Sequence, residues 1–507
     1  MSGTTNNRLT VVFAGLITVA AAPVVRAQAD TLIDPPSIAS VSGRLVVTLT
    51  AAPASVIIGG QVIATNVYNG LYAPPTLHVR RSDSLELTLQ NGVGSGQSTN
   101  LHYHGWAVTP QAQGDDVFVH VPVNTSYYYQ FQLPWNHSEG MYWYHPHPHG
   151  FSESQVLGGM SGALIVDGLL EDNYPELVGI REHVMLLKDI QLPGDSADAP
   201  KTKTINGQLN PVITIQPGEL QFWRIGNVGA DSYVNLSLGG LPFYVIAIDG
   251  NVTACIPLNR WGPQVCPVLV TQYLLPPSSR VEIIVSGPGP GAYAINSLAV
   301  DTGPDGDPNP QVQLATLVSG GSSMLAAPRM VAARRRLVVP HTTRATNVRP
   351  TPAALKYAAI TRRDTLVYTE DTLTNQFFIN GKQFDPNRND TYAHVGDVIE
   401  FTIINQTREL HTFHIHQTDY LVTEINGQPA NSVSLQDNVN LPYVVGAQPG
   451  VVKVIVPFYE PVTVGKFVYH CHILEHEDGG MMGTMVLLPA AARRPAAKAA
   501  GATRSRH

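Results

Sequence analysis

Val395-Gly396-Asp397-Val398-Ile399-Glu400-Phe401-Thr402-Ile403-Ile404-Asn405 occurs, in outline, three times in this chain. The other copies are Val79-Arg80-Arg81-Ser82-Asp83-Ser84-Leu85-Glu86-Leu87-Thr88-Leu89-Gln90-Asn91 and Ile215-Gln216-Pro217-Gly218-Glu219-Leu220-Gln221-Phe222-Trp223-Arg224-Ile225-Gly226-Asn227. In each, a turn carrying an acid (Asp83, Glu219 or Asp397) leads into an apolar alternation that closes on an Asn eight residues later. Period-two alternation marks a strand with one face buried. An Asn-Gly pair precedes each copy, at Asn69, Asn206 and Asn380, and Asn-Gly is a strong hairpin signal. A strand-and-turn unit repeated three times predicts an all-β protein of Greek-key sandwich or barrel domains.

Composition agrees. At roughly 150 residues per domain, 507 residues make three domains. Only 14% of residues are charged, and 44 Gly and 39 Pro supply turns, which favours strands over helices. The N-terminus has the form of an export signal: Arg8, an apolar run over 9–25 too short to span a membrane, and Ala27-Gln28-Ala29 before Asp30. No Arg-Arg pair precedes the run, so general secretion is expected, with a secreted or periplasmic product that keeps no membrane anchor. The expected organisation is a signal peptide over 1–29 and domains over 30–170, 171–320 and 361–490. A linker rich in Gly, Pro, Ala and Arg covers 321–360, and a basic disordered tail covers 491–507. The formal charge of −7 becomes −9 once Arg8 and Arg26 leave with the signal. An acidic surface argues against nucleic acid as a partner. In an exported protein, Cys255 and Cys266 are expected to form a structural disulfide.

The scarce residues are concentrated. Ten of eighteen histidines fall in four clusters: His102-Tyr103-His104, His145-Pro146-His147, His411-Thr412-Phe413-His414-Ile415-His416, and His470-Cys471-His472 with His476. A His-x-His pair at strand period puts both imidazoles on one face. One such pair is weak evidence for a metal, being as readily two surface or core histidines. Four clusters together are strong evidence. Thiolate, imidazole and a weak thioether from Met481 form the ligand set of a blue-copper electron-transfer site. Strand alternation points His470 and His472 away from Cys471, so one strand serves two metal sites. The second repeat has Leu236-Ser237-Leu238 and Tyr293-Ala294-Ile295-Asn296 where the other two have histidines. The middle domain therefore reads as a spacer, and histidines of the first and third domains must meet across an interface. His120 and His137 lack ligand spacing and read as surface residues. His149 extends the second cluster and reads as a rim residue.

The four clusters, in this order, resemble the copper-binding motifs of the multicopper oxidases, the family of laccases and bacterial cuprous oxidases. His102-x-His104-Gly105 resembles the first motif, with Tyr103 where tryptophan is frequent. Trp143-Tyr144-His145-Pro146-His147 resembles the second and His411-x-x-His414-x-His416 the third. His470-Cys471-His472-x-x-x-His476-x-x-x-x-Met481 resembles the fourth. The resemblance implies cupredoxin domains and four copper ions. It gives the type 1 copper His411, Cys471 and His476, with Met481 axial. It gives the type 2 copper His102 and His414. One type 3 copper takes His104, His145 and His472, and the other takes His147, His416 and His470. The implied activity is four one-electron oxidations of a donor, passed through Cys471 and coupled to reduction of dioxygen to two waters.

That reduction consumes four protons. Glu477 occupies the place of the family's proton-relay acid, and Asp115 or Asp116 is the candidate on the type 2 side. Loop solvation or turn capping is the plainer role for each. The nine methionines are scattered, with only Met481 and Met482 adjacent. That favours an organic donor, a phenol or aromatic amine, over cuprous ion. A copper-tolerance protein and a copper-free structural relative are the alternative classes. Complete ligands for oxygen chemistry argue against both. A monomer is expected.

Overall fold

The computed structural model describes residues 30–490 apart from 95, 197–198, 256–263 and 321–348. The expected signal peptide, the linker segment 321–348 and the basic tail lie outside the described residues, as does the Cys255 side chain on which the expected disulfide depends. Among the described residues, no helix is long and apolar enough to cross a membrane.

Strands dominate, and apart from a two-stranded ribbon of Ala254–Cys255 and Gln264–Val265 those described form three pairs of facing sheets, each pair around its own apolar core. The repeated segments are the strands Ser84–Asn91, Leu220–Asn227 and Val398–Asn405. Each lies parallel to an earlier strand: Arg44–Ile58, Arg181–Ile190 and Arg362–Asp371 respectively. The Asn-Gly turns have positive φ at both residues, +52° and +73° at Asn69-Gly70 and nearly the same at Asn206-Gly207 and Asn380-Gly381. Their Asn side chains accept from Thr50, Leu186 and Val367 backbone N–H groups at 2.7–2.8 Å. One device thus sets the strand register in all three domains.

The Asn that ends each repeated strand anchors the loop after it. Asn91 accepts from Val93 N–H and donates to Gln97 and Val121 carbonyls. Asn405 accepts from Thr407 N–H and donates to the Glu409 carbonyl. These loops lead into the short strands His102–His104 and His411–Ile415. His102–His104 pairs antiparallel with Gly140–His145, bringing His102 opposite His145. His411–Ile415 pairs with Gly465–His470, bringing His414 opposite His470. The equivalent pair in the middle domain sets Ser237 opposite Asn296.

The outer repeated strands alternate buried and partly exposed residues, but Leu220–Asn227 is buried throughout. Trp223 and Ile225 pack in the domain core, while on the other face Leu220 and Phe222 pack against Leu169, Leu170, Tyr174 and Leu177. Near the start of the described residues, Leu32 packs in the middle-domain core and its N–H donates to the Val212 carbonyl. The described end of the linker is ordered. Thr351 caps the helix Pro352–Lys356, whose Leu355 packs with Leu421, Leu435 and Ile455.

Candidate metal centre

All ten clustered histidines and Cys471 are buried, and the fold sorts them into two groups. In the first, His411 Nδ1 and His476 Nδ1 lie 2.9 Å apart, and Cys471 Sγ is 3.6 Å from each. The outer nitrogens are held. Thr407 Oγ1 is 2.9 Å from His411 Nε2, and Glu409 Oε1 is 3.3 Å from His476 Nε2. Phe377 stacks on His476 with ring centroids 4.3 Å apart. Thr412 N–H donates to Cys471 Sγ. Met481 is fully buried in the same core cluster as Cys471, whereas Met482 packs with Val117 and Val468. Backbone hydrogen bonds from Cys471 to Met481 and from Met481 to His476 tie the three residues together.

The second group holds eight imidazoles, from four segments of two domains. His147 Nε2 and His416 Nε2 lie 3.2 and 3.1 Å from His470 Nε2. His102 stacks on His416 at 3.9 Å and His104 on His414 at 4.0 Å between centroids. His472 lies 5.0 Å from His104 and 5.4 Å from His145. Trp143 stacks on His145 at 4.1 Å. Tautomers are set from outside, as for metal-binding histidines generally. His102 Nδ1 meets Asp115 at 2.9 Å, His145 Nδ1 the Pro146 carbonyl at 3.0 Å, and His414 Nδ1 the Asp437 carbonyl at 2.7 Å. His470 Nδ1 meets the Cys471 carbonyl at 2.9 Å, with Glu477 Oε2 3.0 Å away, and His104 Nε2 meets Asp437 Oδ1 at 3.2 Å.

The opposite ring nitrogens of His102, His104, His145 and His414 are buried without a hydrogen-bond partner, as are His416 Nδ1 and both nitrogens of His472. A buried polar atom without a partner is costly. Burial, followed by the neighbouring imidazoles, holds His102, His414, His416 and His472 well below the ordinary imidazole pKa. These rings are therefore neutral, the form that binds metal. Burial likewise pushes the Cys471 thiol up to about 12, so a thiolate here requires an adjacent cation. The donor set fits soft, imidazole-loving copper in both groups.

Of the candidate acids, Glu477 is fully buried, with Oε1 3.5 Å from His147 Nδ1 and Oε2 against His470. Burial would raise its pKa, but those imidazoles outweigh it and hold the carboxyl well below the usual range. Asp115 reaches His102 and also accepts from Gln417 Nε2 at 2.6 Å. Burial pushes it up to about 8, against hydrogen bonds from Tyr103 and Gln417. Asp116 instead accepts from Phe118 N–H in its own loop, a turn-capping role. His149 is exposed and packs on Phe384, on the rim. His120 is exposed. His137 corrects the expectation of a surface residue: it is 3% exposed, and its Nε2 accepts from Ala107 N–H. Asp437, Gln417, Glu409 and Glu370, whose Oε2 is 3.9 Å from His411 Nε2, were not expected from the sequence. Gln417 follows His416 directly and Glu409 lies two residues before His411, which were the only local signals for them.

Two buried groups of this composition on cupredoxin sandwiches define a copper redox protein. Multicopper oxidase family patterns match residues 51–170, 180–322 and 357–491. The chain belongs to the multicopper oxidase family. It is 25% identical to the multicopper oxidase mco of Staphylococcus aureus over 84% of each chain. It is 25% identical to the laccase of Bacillus subtilis over 82% of this chain and 89% of that one. A multicopper oxidase from Campylobacter jejuni, described as a metallo-oxidase, superposes with a TM-score of 0.72 at 25% identity, covering 91% of this chain and 96% of that one.

Proposed function

We propose that this protein couples one-electron oxidation of a cationic donor, in a pocket over His476, to reduction of dioxygen to two waters at the eight-imidazole group. Four coppers serve this reading, distributed as the family resemblance implies: one on His411, Cys471, His476 and Met481; one on His102 and His414; one on His104, His145 and His472; and one on His147, His416 and His470. Copper, when bound, supplies the one-electron redox steps and the four-electron reduction of dioxygen. The chain supplies the connection and the protons. Cys471 is covalently continuous with His470 and His472, so two backbone routes join the two groups. Glu477 and Asp115 hold carboxylates on opposite sides of the imidazole group, within hydrogen-bond reach of His470 and His102 respectively.

The observation that carries the donor class is a cavity of about 350 Å³ whose wall includes His476 and Phe377. Asp231, Asp305, Asp307, Glu370, Glu409 and Glu475 line it, against Lys201 as the one cation in the described lining. Lys201 is offset by Asp231 at 3.0 Å and Asp307 at 3.2 Å. Burial and the hydrogen bond with Glu370 push Glu409 up, so that pair shares one proton, and the pocket stays net negative. Such a pocket concentrates cations and repels anions. Glu409 at His476 Nε2 gives a bound donor a short path to the thiolate site.

Cationic aromatic amines fit this lining best. Cuprous ion is the second reading, favoured by the same negative charge but not by the hard oxygen donors. No methionine or cysteine is among the described lining residues. Oxygen uptake should be measured with a cationic aromatic amine, a neutral phenol, an anionic phenol and cuprous ion. The cationic amine should have the highest kcat/KM among the organic donors, and the preference should weaken with added salt. Equal rates for anionic and cationic donors would refute the donor class. No oxygen uptake with any of them would refute the oxidase.

A further inference from the structure

Among the described residues the middle domain contributes no histidine to either group, yet Arg280 and Asp249 of this domain reach Asp437 beside the imidazoles. Arg280 is the first residue of the middle-domain strand Arg280–Ser286 and is completely buried. Its guanidinium touches all three domains. It donates to the Met141 carbonyl of the first and the Ser278 carbonyl of its own. It forks onto Asp437 of the third, with Nη1 to Oδ1 at 2.8 Å and Nη2 to Oδ2 at 2.7 Å. Asp249 closes the arrangement, accepting from the backbone N–H of both Arg280 and Asp437.

Asp437 in turn holds two imidazoles in opposite senses. Its carboxylate meets His104 Nε2, which leaves Nδ1 as the free nitrogen, and its carbonyl accepts from His414 Nδ1, which leaves Nε2. Room for the fork depends on Gly105. Its φ is +86°, and a Cβ there would sit 2.7 Å from both Arg280 Nη2 and Asp437 Oδ2.

We propose that Arg280 is a positioning residue for copper: through Asp437 it fixes the tautomers and orientation of His104 and His414, so the middle domain sets the geometry of the oxygen site. This rests on the copper reading above. Lysine cannot replace the fork, because its ammonium is a point charge without bidentate geometry. Partners that orient metal-binding histidines are typically worth 10–100-fold in affinity.

The test compares wild type, Arg280→Lys, Asp437→Asn and Arg224→Lys. Arg224 is a control: a buried middle-domain arginine paired with Glu182 and Glu282, with no contact to a histidine of either group. Each protein is titrated with copper while the blue band, copper per chain and the paramagnetic-resonance signal of the non-blue copper are followed. Arg280→Lys should keep the blue band and bind copper at the imidazole group 10–100-fold more weakly, with an altered non-blue signal. Asp437→Asn keeps the carbonyl used by His414 and should show the same selective defect, which covers a failure of Arg280→Lys to fold. Arg224→Lys should lose thermal stability alone. Wild-type loading and signal in both Arg280→Lys and Asp437→Asn would overturn the proposal, as would parallel loss of both copper classes in Arg280→Lys and Arg224→Lys. A wild-type chain that binds no copper would overturn the copper reading itself, and the same titration shows it.

Discussion

Glu477→Gln separates proton supply from electron supply. The substitution keeps the shape and removes the charge. Two imidazole Nδ1 atoms face this carboxylate, at 3.0 Å from His470 and 3.5 Å from His147. An amide meets only one of them with its oxygen. With that oxygen on His470, the NH2 faces His147. Losing a charged acceptor in a fully buried site costs about 1.5–3 kcal/mol, so a lower melting temperature and up to roughly 100-fold weaker copper binding are expected. Assays therefore belong at saturating copper. Under that condition oxygen consumption should still fall by roughly 10²-fold or more, the usual cost of losing an acid–base group. That is about 2.7 kcal/mol on the barrier. Anaerobic bleaching of the blue band by donor should stay near wild type, because the Glu477 side chain faces His470 and His147, whereas Cys471, His411 and His476 face one another. Stopped-flow bleaching set beside oxygen-electrode rates decides it. Oxygen consumption within threefold of wild type refutes the proton role and leaves Asp115, on the His102 side, to carry it. Bleaching that slows as much as oxygen consumption would mean that Glu477 shapes the thiolate site instead.

Further outcomes follow from the same geometry. Cys471→Ser should abolish the blue band and oxidase activity together, since the thiolate is both ligand and conduit; absorbance and oxygen uptake check it. Met481→Leu should raise the reduction potential of the blue site and keep its colour, and an unchanged or lower potential in a redox titration would exclude Met481 as axial ligand. Asp307→Asn, at the pocket mouth, should raise KM for a cationic amine severalfold and leave a neutral phenol unaffected, whereas equal effects on both would refute charge selection. Chelating the metal should lower the melting temperature, because free copper at 1,000 times its dissociation constant adds about 4 kcal/mol to the native state; calorimetry of loaded and stripped protein that gives one temperature would contradict this.

The strands and the clustering of the histidines and Cys471 were legible because both are local. The alternation leading to Asn91, Asn227 and Asn405 is a property of each segment, and a His-x-His pair on one strand needs no distant partner to face one way. Even the two-faced use of Cys471, with His470 and His472 turned to the other group, follows from strand period. Which atoms hold those imidazoles in place was decided only by tertiary structure. His104 and Asp437 are 333 residues apart, and Gln417 reaches back 302 residues to Asp115. Neither Asp115 nor Asp116 is distinguished by its neighbours in sequence. The loop turns one carboxylate onto His102 and spends the other on its own backbone. The same reasoning applies to His137, which no spacing marks as buried, and to Arg280, an ordinary strand arginine until three domains close around it. Local sequence carries periodicity and the clustering of candidate ligands, whereas orientation, burial and charge depend on groups that meet only when the domains pack.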